Sequence, residues 1–276
     1  MYLSPGKSLR LGRLFDRTSS KTVMVAMDHG QGGVRPGLEN PEATLEKVIE
    51  GKPDGILLSI GMARRFQEMF SWRGAPALII STDFVLNSVV PKGPETVEEQ
   101  RVTAGVEEAV AMGADAIKVL LVFGRASAEL QARNFEYVAR TAEVCRKWNL
   151  PIIVEPTLWG SMVPDEKKDD PDTVVDIARI SAELGADMVK AQYTGDPDSF
   201  KKVVRSCPVP VTILGGAKTN DMSELFTRIQ DALAAGACGV VFGRNVWQSK
   251  NPTRTVQALR ALVHSGDYNE ALELLR

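Results

Sequence analysis

Short apolar runs alternate with longer amphipathic stretches along almost the whole chain. The first run, Thr22–Met27, is followed by a glycine-rich segment, and short apolar runs bounded by turn residues are typical of buried strands. Between the runs, apolar residues recur every three or four positions, as at Leu45, Val48 and Ile49. That spacing indicates a helix with one buried face. The chain is therefore predicted to consist of repeated strand–helix units.

The pattern predicts eight strands that alternate with helices. The predicted strands are Thr22–Met27, Asp54–Ile60, Ala77–Ser81, Gly113–Lys118, Pro151–Glu155, Ala186–Tyr193, Val209–Leu214 and Cys238–Phe242. The predicted helices are Pro41–Gly51, Met62–Phe70, Pro94–Met112, Ala126–Trp148, Asp172–Leu184, Asp198–Ser206 and Asp221–Ala235, with Asp221 as an N-cap and with one or two further helices in Pro252–Arg276. Residues 1–21 are expected to form a polar leader. The pattern assigns neither helix nor strand to 82–93 and 159–171, which follow strand ends, where the active-site loops of a barrel lie.

An eightfold strand–helix count without a long linker predicts an α/β fold, a single (β/α)8 TIM barrel over residues 1–276 with an extra C-terminal helix. Hydrophobic residues make up 44% of the chain, and 33 basic side chains stand against 35 acidic ones. This composition indicates a globular protein that does not bind nucleic acid. No apolar run is long enough to span a bilayer and the N-terminus lacks a signal-peptide core, so we expect a cytoplasmic protein that does not bind membranes. The three cysteines lack the spacing of a disulfide framework or a zinc site. We also expect a homo-oligomer.

Two lysines stand in related hexads. Gly113–Lys118 and Gly185–Lys190 share Gly, Ala, Asp and Lys at the same offsets, and the apolar run Pro151–Glu155 between them also ends in a charge. The three charges stand 37 and 35 residues apart, from 118 to 155 and from 155 to 190. That distance is close to one strand–helix unit. We therefore expect these charges to end three successive strands and to converge on one space.

A lysine at the end of an apolar strand has two interpretations. Burying its charge costs several kcal/mol unless the charge is paired or neutralised. Lys190 is therefore either half of a structural ion pair or a desolvated amine that attacks a carbonyl to form a Schiff base. The convergence with Lys118 and Glu155 favours the Schiff base, with Lys118 promoting the unprotonated amine by like-charge repulsion and holding Glu155 ionised.

Other candidates stand beside the predicted strand ends, which face the catalytic mouth of such a barrel. Asp28, which precedes His29, either orients a substrate or caps a turn. Trp159 and Trp247 either line the mouth or pack in the core. His264 lies in the C-terminal tail, where we expect it at the surface.

Glycine-rich loops follow the seventh and eighth strands. Gly215, Gly216 and Lys218 come after the seventh strand, and Gly243 and Arg244 come after the eighth. These two loops form the phosphate site of many (β/α)8 barrels, because glycine lets backbone amides approach the phosphate oxygens. The alternative is that they are ordinary turns. Arg244 would add a bidentate contact to a phosphate.

Four motifs carry a family resemblance over almost the whole chain: Ala26–Gly30 (AMDHG), Asp187–Lys190 (DMVK), Val211–Gly216 (VTILGG) and Gly239–Asn245 (GVVFGRN). With them, the chain resembles the barrel class I aldolases, which include archaeal-type fructose-bisphosphate aldolase, tagatose-bisphosphate aldolase and the autoinducer-2 phosphate thiolase. The resemblance implies that Lys190 forms the Schiff base, that Asp28 binds and orients the substrate, and that the last two motifs hold a phosphate.

The chain departs from the archaeal fructose-bisphosphate pattern on the fifth strand, where Thr157 stands in place of an acid/base tyrosine. The thiolase is similar at that position. Lys118 and Glu155, however, resemble the arrangement in tagatose-bisphosphate and sulfosugar-phosphate aldolases, in which the glutamate transfers protons. The resemblance is thus specific for Schiff-base lyase chemistry and unspecific for the sugar.

The expected function is a class I aldolase, without cofactor or metal, that cleaves or forms a phosphorylated ketose with dihydroxyacetone phosphate as its ketone product. The alternatives are a CoA-dependent thiolase and a non-catalytic phosphosugar-binding protein. The expected catalytic residues are Lys190, Glu155, Lys118 and Asp28, and the expected phosphate-binding residues are Gly215, Gly216, Lys218, Gly243 and Arg244.

Overall fold

Eight parallel strands close into a barrel, which confirms the predicted (β/α)8 fold. The computed structural model describes residues 4–85, 100–168, 170–219 and 221–276. Strand order follows the chain, and the first strand pairs with both the second and the last. The strands are β1 (Thr22–Ala26), β2 (Gly55–Ser59), β3 (Ala77–Ser81), β4 (Ala116–Val122), β5 (Ile152–Thr157), β6 (Met188–Ala191), β7 (Val211–Leu214) and β8 (Gly239–Phe242).

Helices surround the barrel, and none of those described is long and apolar enough to cross a membrane. They are α1 (Pro5–Leu14), α2 (Pro41–Glu50), α3 (Ile60–Arg65), α4 (Val106–Ala111), α5 (Ala128–Trp148), α6 (Pro171–Glu183), α7 (Pro197–Ser206), α8 (Met222–Ala234), α9 (Arg244–Trp247), α10 (Pro252–Arg260) and α11 (Tyr268–Leu275). Short 3-10 turns cover Asp28–Gly32, Gln67–Phe70 and Asp165–Lys167, and a π turn covers Ala261–Ser265. The predicted N-cap Asp221 is confirmed, since its carboxylate accepts from the Glu224 amide at 3.0 Å.

Two predictions from the pattern are wrong. The expected polar leader contains α1, whose cationic side chains reach the amino ends of the strands. Within the described part of the helix expected over Pro94–Met112, only Val106–Ala111 is helical, as α4, and 94–99 lies outside the described residues. Gln100–Val102 instead pairs antiparallel with Asp83–Val85 as a short hairpin. Non-local pairing therefore overrides a helical periodicity in the sequence.

The core has two layers, because successive side chains of a strand point to opposite sides of the barrel wall. The larger layer lies between strands and helices. The smaller one fills the barrel interior and consists mainly of Met24, Ala26, Leu57, Ala77, Ile79, Ala116, Ile153, Met188 and Val241. Ala116, Ile153 and Met188 point inward, so residues two positions later on the same strands also point inward. Those residues are Lys118, Glu155 and Lys190.

Three buried or half-buried aspartates stabilise the amino ends of the strands. Each immediately precedes an even-numbered strand and accepts a hydrogen bond from a backbone amide at the start of the strand before it. The pairs are Asp54 Oδ2 with Val23 N at 2.6 Å, Asp115 Oδ2 with Leu78 N at 3.0 Å, and Asp187 Oδ2 with Ile152 N at 3.0 Å. The aspartate of the repeated hexad is therefore structural.

Each of these aspartates also has a cationic neighbour from a helical segment. Lys7 Nζ lies 2.8 Å from Asp187 Oδ2, and Arg13 Nη1 lies 2.9 Å from Asp115 Oδ1. Asp54 is 3.0 Å from His264 Nε2 and is also paired with Arg260. The side chain of His264 is only 11% exposed, so its expected surface position is wrong.

Removing the buried Lys7 side chain tests how much the ion pair with Asp187 contributes. We expect Lys7→Ala to lower the free energy of unfolding by about 3 kcal/mol or more, because Asp187 would keep a buried carboxylate without its cation. Urea denaturation measures the change, with Lys201→Ala on an exposed helical surface as the matched control. Equal stability of the two variants would contradict this structural role.

Candidate active site

A cavity of about 960 Å³ opens at the carboxyl ends of the strands. All nine residues predicted for the site line it, although they come from six different strands and loops. The structure therefore brings together every predicted site residue. They are Asp28, Lys118, Glu155, Lys190, Gly215, Gly216, Lys218, Gly243 and Arg244.

Four buried or nearly buried charges form a continuous alternating chain across the bottom of this cavity. Lys190 Nζ lies 2.9 Å from Glu155 Oε1, and Glu155 Oε2 lies 3.6 Å from Lys118 Nζ. Lys118 Nζ in turn lies 3.1 Å from Asp28 Oδ2. Asp28 follows β1, so the chain of charges crosses the barrel from β6 to β1. Two ammonium groups and two carboxylates thereby compensate one another away from water.

The sequence suggested that three charges stand at the ends of β4, β5 and β6. In the structure these charges lie within the strands. Lys118 is the third of seven residues in β4, because β4 continues along β5 as far as Val122 after its pairing with β3 has ended. The strand ends therefore depend on pairing with neighbours. The alternation of side chains, in contrast, still directs Lys118, Glu155 and Lys190 into the barrel.

Burial and charge act in opposite directions on these groups. Burial alone would raise the pKa values of Asp28 and Glu155, but the neighbouring ammonium groups outweigh it and hold both pKa values below their usual range. Burial likewise opposes the charged form of Lys118, yet the carboxylates of Asp28 and Glu155 raise its pKa above the usual range. The resting site is thus ionised at Asp28, Glu155 and Lys118 near neutral pH.

Beyond Lys118, β4 no longer pairs with β3, and side chains instead form hydrogen bonds with its backbone amide and carbonyl groups. Asp83 Oδ2 accepts from the Leu120 amide at 2.8 Å and also from the Gln100 side chain. Gln100 and Asn134 both donate to the Leu120 carbonyl, each at 3.1 Å. Asp83 is fully buried and lines the cavity. Sequence analysis did not identify Asp83, because its only signal there is an acidic residue close after the third apolar run.

The glycine loop after β7 is fixed to the loop after β8 by one buried amide. Asn245 Nδ2 donates to the carbonyls of Gly215 at 2.8 Å and Ala217 at 3.2 Å, and its Oδ1 accepts from the Thr219 amide at 2.9 Å. Gly216 has φ +64°, a left-handed conformation that favours glycine. Asn245 was part of a recognised motif, but its role as the connection between the loops depends on three-dimensional contacts.

Gly243 is required by close packing. A Cβ atom there would lie 2.8 Å from the Ala26 carbonyl oxygen and 2.9 Å from a ring carbon of His29. Trp247 Nε1 donates to that same carbonyl at 3.0 Å, and its ring contacts the ring of His29 edge-on at 5.3 Å. Trp247 is therefore a buried residue that also lines the cavity, whereas Trp159 is 57% exposed at the rim.

Asp28 does not cap a turn with its side chain, and its carboxylate instead pairs with Lys118. His29 Nδ1 lies 3.5 Å from Asp28 Oδ1. Burial lowers the pKa of His29, and the carboxylate of Asp28 offsets this effect only in part. Thr157 points into the cavity on the same side of β5 as Glu155, and its Oγ1 has no hydrogen-bond partner among the described residues.

The sequence profile described as DeoC/LacD family aldolase matches residues 22–249. An uncharacterized aldolase of Saccharolobus solfataricus is 33% identical over 276 residues, which cover 98% of this chain and 99% of that protein. A protein of Archaeoglobus fulgidus named 2-amino-3,7-dideoxy-D-threo-hept-6-ulosonate synthase 1 is 31% identical over 270 residues, with 98% of this chain and 95% of that protein covered.

The barrel is also similar to solved structures. One is an archaeal fructose-1,6-bisphosphate aldolase whose catalytic lysine is covalently bound to the carbinolamine intermediate of its substrate. It has 29% sequence identity and a TM-score of 0.80, and the alignment covers 94% of this chain and 99% of that one. Sequence and fold therefore give the same family over nearly the whole length.

Proposed function

Because the chain belongs to the DeoC/LacD aldolase family and is a Schiff-base, class I aldolase, we propose that Lys190 carries its covalent intermediate. The observation that supports this most directly is the 2.9 Å contact between Lys190 Nζ and Glu155 Oε1 within the cavity. Lys118 is also buried there, but it already contacts the two carboxylates of Asp28 and Glu155. Lys190 contacts one carboxylate where Lys118 contacts two, so Lys190 loses its proton to form a free amine more readily.

The first step transfers a proton from the Lys190 ammonium group to Glu155. The free amine adds to the ketone carbon of the substrate, and the resulting carbinolamine oxygen takes the proton from Glu155 and leaves as water. An iminium ion remains on Lys190, and Glu155 is again a carboxylate. The iminium group attracts electrons and so prepares the substrate for carbon–carbon cleavage.

Glu155 then removes the proton of the substrate hydroxyl that lies beyond the scissile bond. As this oxygen becomes the carbonyl of the departing aldehyde, the carbon–carbon bond breaks and its electron pair forms an enamine on Lys190. Glu155 returns the proton to the enamine carbon, and water releases the ketone from Lys190. Geometry supports the assignment, since one carboxylate adjoins the reacting nitrogen and is ionised at rest.

Lys118 and Asp28 maintain the charge balance during these steps. When the proton passes from Lys190 to Glu155, both of these groups become neutral, and Lys118 still compensates Asp28 at 3.1 Å. Asp28 also lines the cavity, where its carboxylate can accept hydrogen bonds from substrate hydroxyls. We therefore assign substrate orientation to Asp28 and electrostatic support of Glu155 to Lys118.

The phosphate of the substrate is proposed to bind between the loops after β7 and β8. Lys218 and Arg244 line the cavity there, and Arg244 Nε is a buried donor without a hydrogen-bond partner among the described residues. A phosphate oxygen would satisfy that donor. The Gly215 and Gly216 backbone, fixed by Asn245, lets the anion approach closely.

The substrate is proposed to be a phosphorylated ketose, with dihydroxyacetone phosphate as the ketone product. A bound phosphate one carbon from the ketone would fix the distance between the anion site and Lys190. The relatives differ in the products and substrates for which they are named, a fructose bisphosphate in one and a 2-amino-3,7-dideoxyheptulosonate in another. Membership of the family therefore supports the chemistry more closely than the sugar.

Trapping of the covalent intermediate tests the central assignment. We expect borohydride reduction in the presence of dihydroxyacetone phosphate to add the mass of the reduced ketone to Lys190, because borohydride converts the iminium bond into a stable amine. Peptide mass spectrometry locates the modification, with Lys190→Met as the control. Modification of Lys118 instead, or of no lysine, would overturn the assignment.

Glu155→Gln tests proton transfer. The amide keeps the size of the side chain but cannot take a proton, so we expect turnover to fall roughly a hundredfold or more while Lys190 is still trapped. Steady-state cleavage rates measure the effect, and Glu129→Gln on the exposed surface of α5 serves as the control. Near-normal turnover would restrict Glu155 to a structural ion pair.

Arg244→Ala tests the phosphate site. We expect KM for the phosphorylated ketose to rise by about an order of magnitude or more through loss of a charge-assisted contact. Rates of borohydride trapping with unphosphorylated dihydroxyacetone should change little, since that ligand has no group for Arg244 to bind. The exposed Arg254→Ala is the control. Equal losses with both ligands would mean that Arg244 supports the barrel.

A further inference from the structure

We propose that the β3–β5 side of the cavity binds the aldehyde end of the substrate, and that Asp83 there accepts a hydrogen bond from a hydroxyl or ammonium group. The inference rests on the proposed roles of Lys190 and Glu155 and extends them to the substrate class. It predicts an aldehyde whose distal group is a hydrogen-bond donor and not a second phosphate.

The cavity has an uneven distribution of charge around its mouth. The loops after β7, β8 and β1, together with α8, contribute four arginine or lysine side chains to its lining. None of these four has an ion-pair partner among the described residues. They are Arg35, Lys218, Arg228 and Arg244.

The opposite side, which we call the β3–β5 wall, is apolar and acidic. Its lining includes Asp83, Phe84, Leu120, Thr157, Leu158 and Trp159, above the buried Lys118 and Glu155. Among the described residues that line this wall, Lys118 supplies the positive charge. Its Nζ already lies within 3.6 Å of carboxylate oxygens of both Asp28 and Glu155. A phosphate at this wall would therefore lie beside the carboxyl group of Asp83 without an unpaired cation to bind it, which disfavours a phosphate there.

Asp83 has one oxygen in use and one without a partner. Its Oδ2 accepts from the Leu120 amide and the Gln100 side chain, whereas its buried Oδ1 has no hydrogen-bond partner among the described residues. A buried polar atom without a partner is costly, and a ligand that donates a hydrogen bond removes that cost. Oδ1 of Asp83 is therefore suited to a substrate donor.

Burial raises the pKa of Asp83 to about 6, although Lys118 and the donors on Oδ2 oppose the increase. The charged or titratable groups around it are Lys118 on β4, Asp28 after β1 and Tyr137 on α5. At pH 7.5 the Asp83 side chain is thus mainly a carboxylate. A carboxylate accepts hydrogen bonds and repels an anion, which agrees with the geometry of the wall.

The proposed chemistry gives the substrate a direction. The phosphate lies by β7 and β8, the ketone carbon is bonded to Lys190 on β6, and the hydroxyl of the next fragment contacts Glu155 on β5. Because the strands follow one another around the barrel, the aldehyde fragment continues toward β4 and β3. Thr157 then adjoins its first carbons, and Asp83 adjoins its distal group.

Condensation of dihydroxyacetone phosphate with three aldehydes tests the proposal: glyceraldehyde, 3-aminopropanal and glyceraldehyde 3-phosphate, which end in a hydroxyl, an ammonium group and an anion. For the wild-type enzyme we expect kcat/KM with one of the first two to exceed that with the third at least tenfold. The preferred one of the two identifies whether the donor is a hydroxyl or an amine.

Asp83→Asn should abolish this preference. Leu120 N and Gln100 are donors, so the amide oxygen would take the place of Oδ2 and its NH₂ group the place of Oδ1. We expect kcat/KM to fall tenfold or more for the preferred aldehyde and to stay equal or rise for glyceraldehyde 3-phosphate. Asp176→Asn, at an exposed position of α6, is the matched control.

A wild-type enzyme that prefers glyceraldehyde 3-phosphate, or that does not discriminate, would overturn the proposal. So would an Asp83→Asn variant that loses activity equally with all three aldehydes, because that result indicates only support of β4. Trapping of Lys190 by dihydroxyacetone phosphate requires no aldehyde. Failure of trapping would therefore reject the proposed function itself and not the assignment of the distal group.

Discussion

The candidate active site depends on keeping four charges away from water while each of them is paired with another. Lys190, Glu155, Lys118 and Asp28 form one alternating chain inside the barrel, with successive contacts of 2.9, 3.6 and 3.1 Å. Each charge is compensated by its neighbours, so loss of one charge leaves another exposed to a medium of low polarity. In the proposed mechanism, a proton moves from Lys190 to Glu155, and Lys118 and Asp28 remain paired with each other while it does so.

The repeated hexads connect this catalytic end of the barrel with the opposite end. In each hexad the aspartate accepts a hydrogen bond from a backbone amide at the start of the preceding strand. The lysine three residues later points into the barrel interior. Asp187 requires the cation of Lys7, which belongs to α1 outside the repeating units. One short sequence thus sets the start of a strand and, by alternation, the direction of its functional side chain.

The sequence could predict the fold and the inward charges because both depend on local periodicity. Lys118, Glu155 and Lys190 share a side of the barrel wall whatever the strand ends are, so errors of a few residues in those ends did not move them. Asp83 and α1 could not be predicted in this way. The hairpin that places Asp83 requires pairing with Gln100–Val102, and α1 matters through contacts with Asp187 and Asp115, far away in sequence. His264 was misplaced for the same reason, since its partner Asp54 lies at the other end of the chain.

The central charges and the wall of the cavity impose different constraints on the substrate. Schiff-base chemistry needs an amine and an adjacent carboxylate, and the proposed mechanism assigns to Lys190 and Glu155 no contact with the groups that distinguish one aldehyde from another. Those groups lie farther along the substrate, where the lining changes from cationic loops to Phe84, Leu120 and the unpaired oxygen of Asp83. In the proposed arrangement, a change of one side chain on the β3–β5 wall alters the accepted aldehyde while the contact between Lys190 and Glu155 is retained. In this proposal, the charges in the barrel interior carry out the reaction, and the side chains of the β3–β5 wall, Asp83 among them, select the aldehyde.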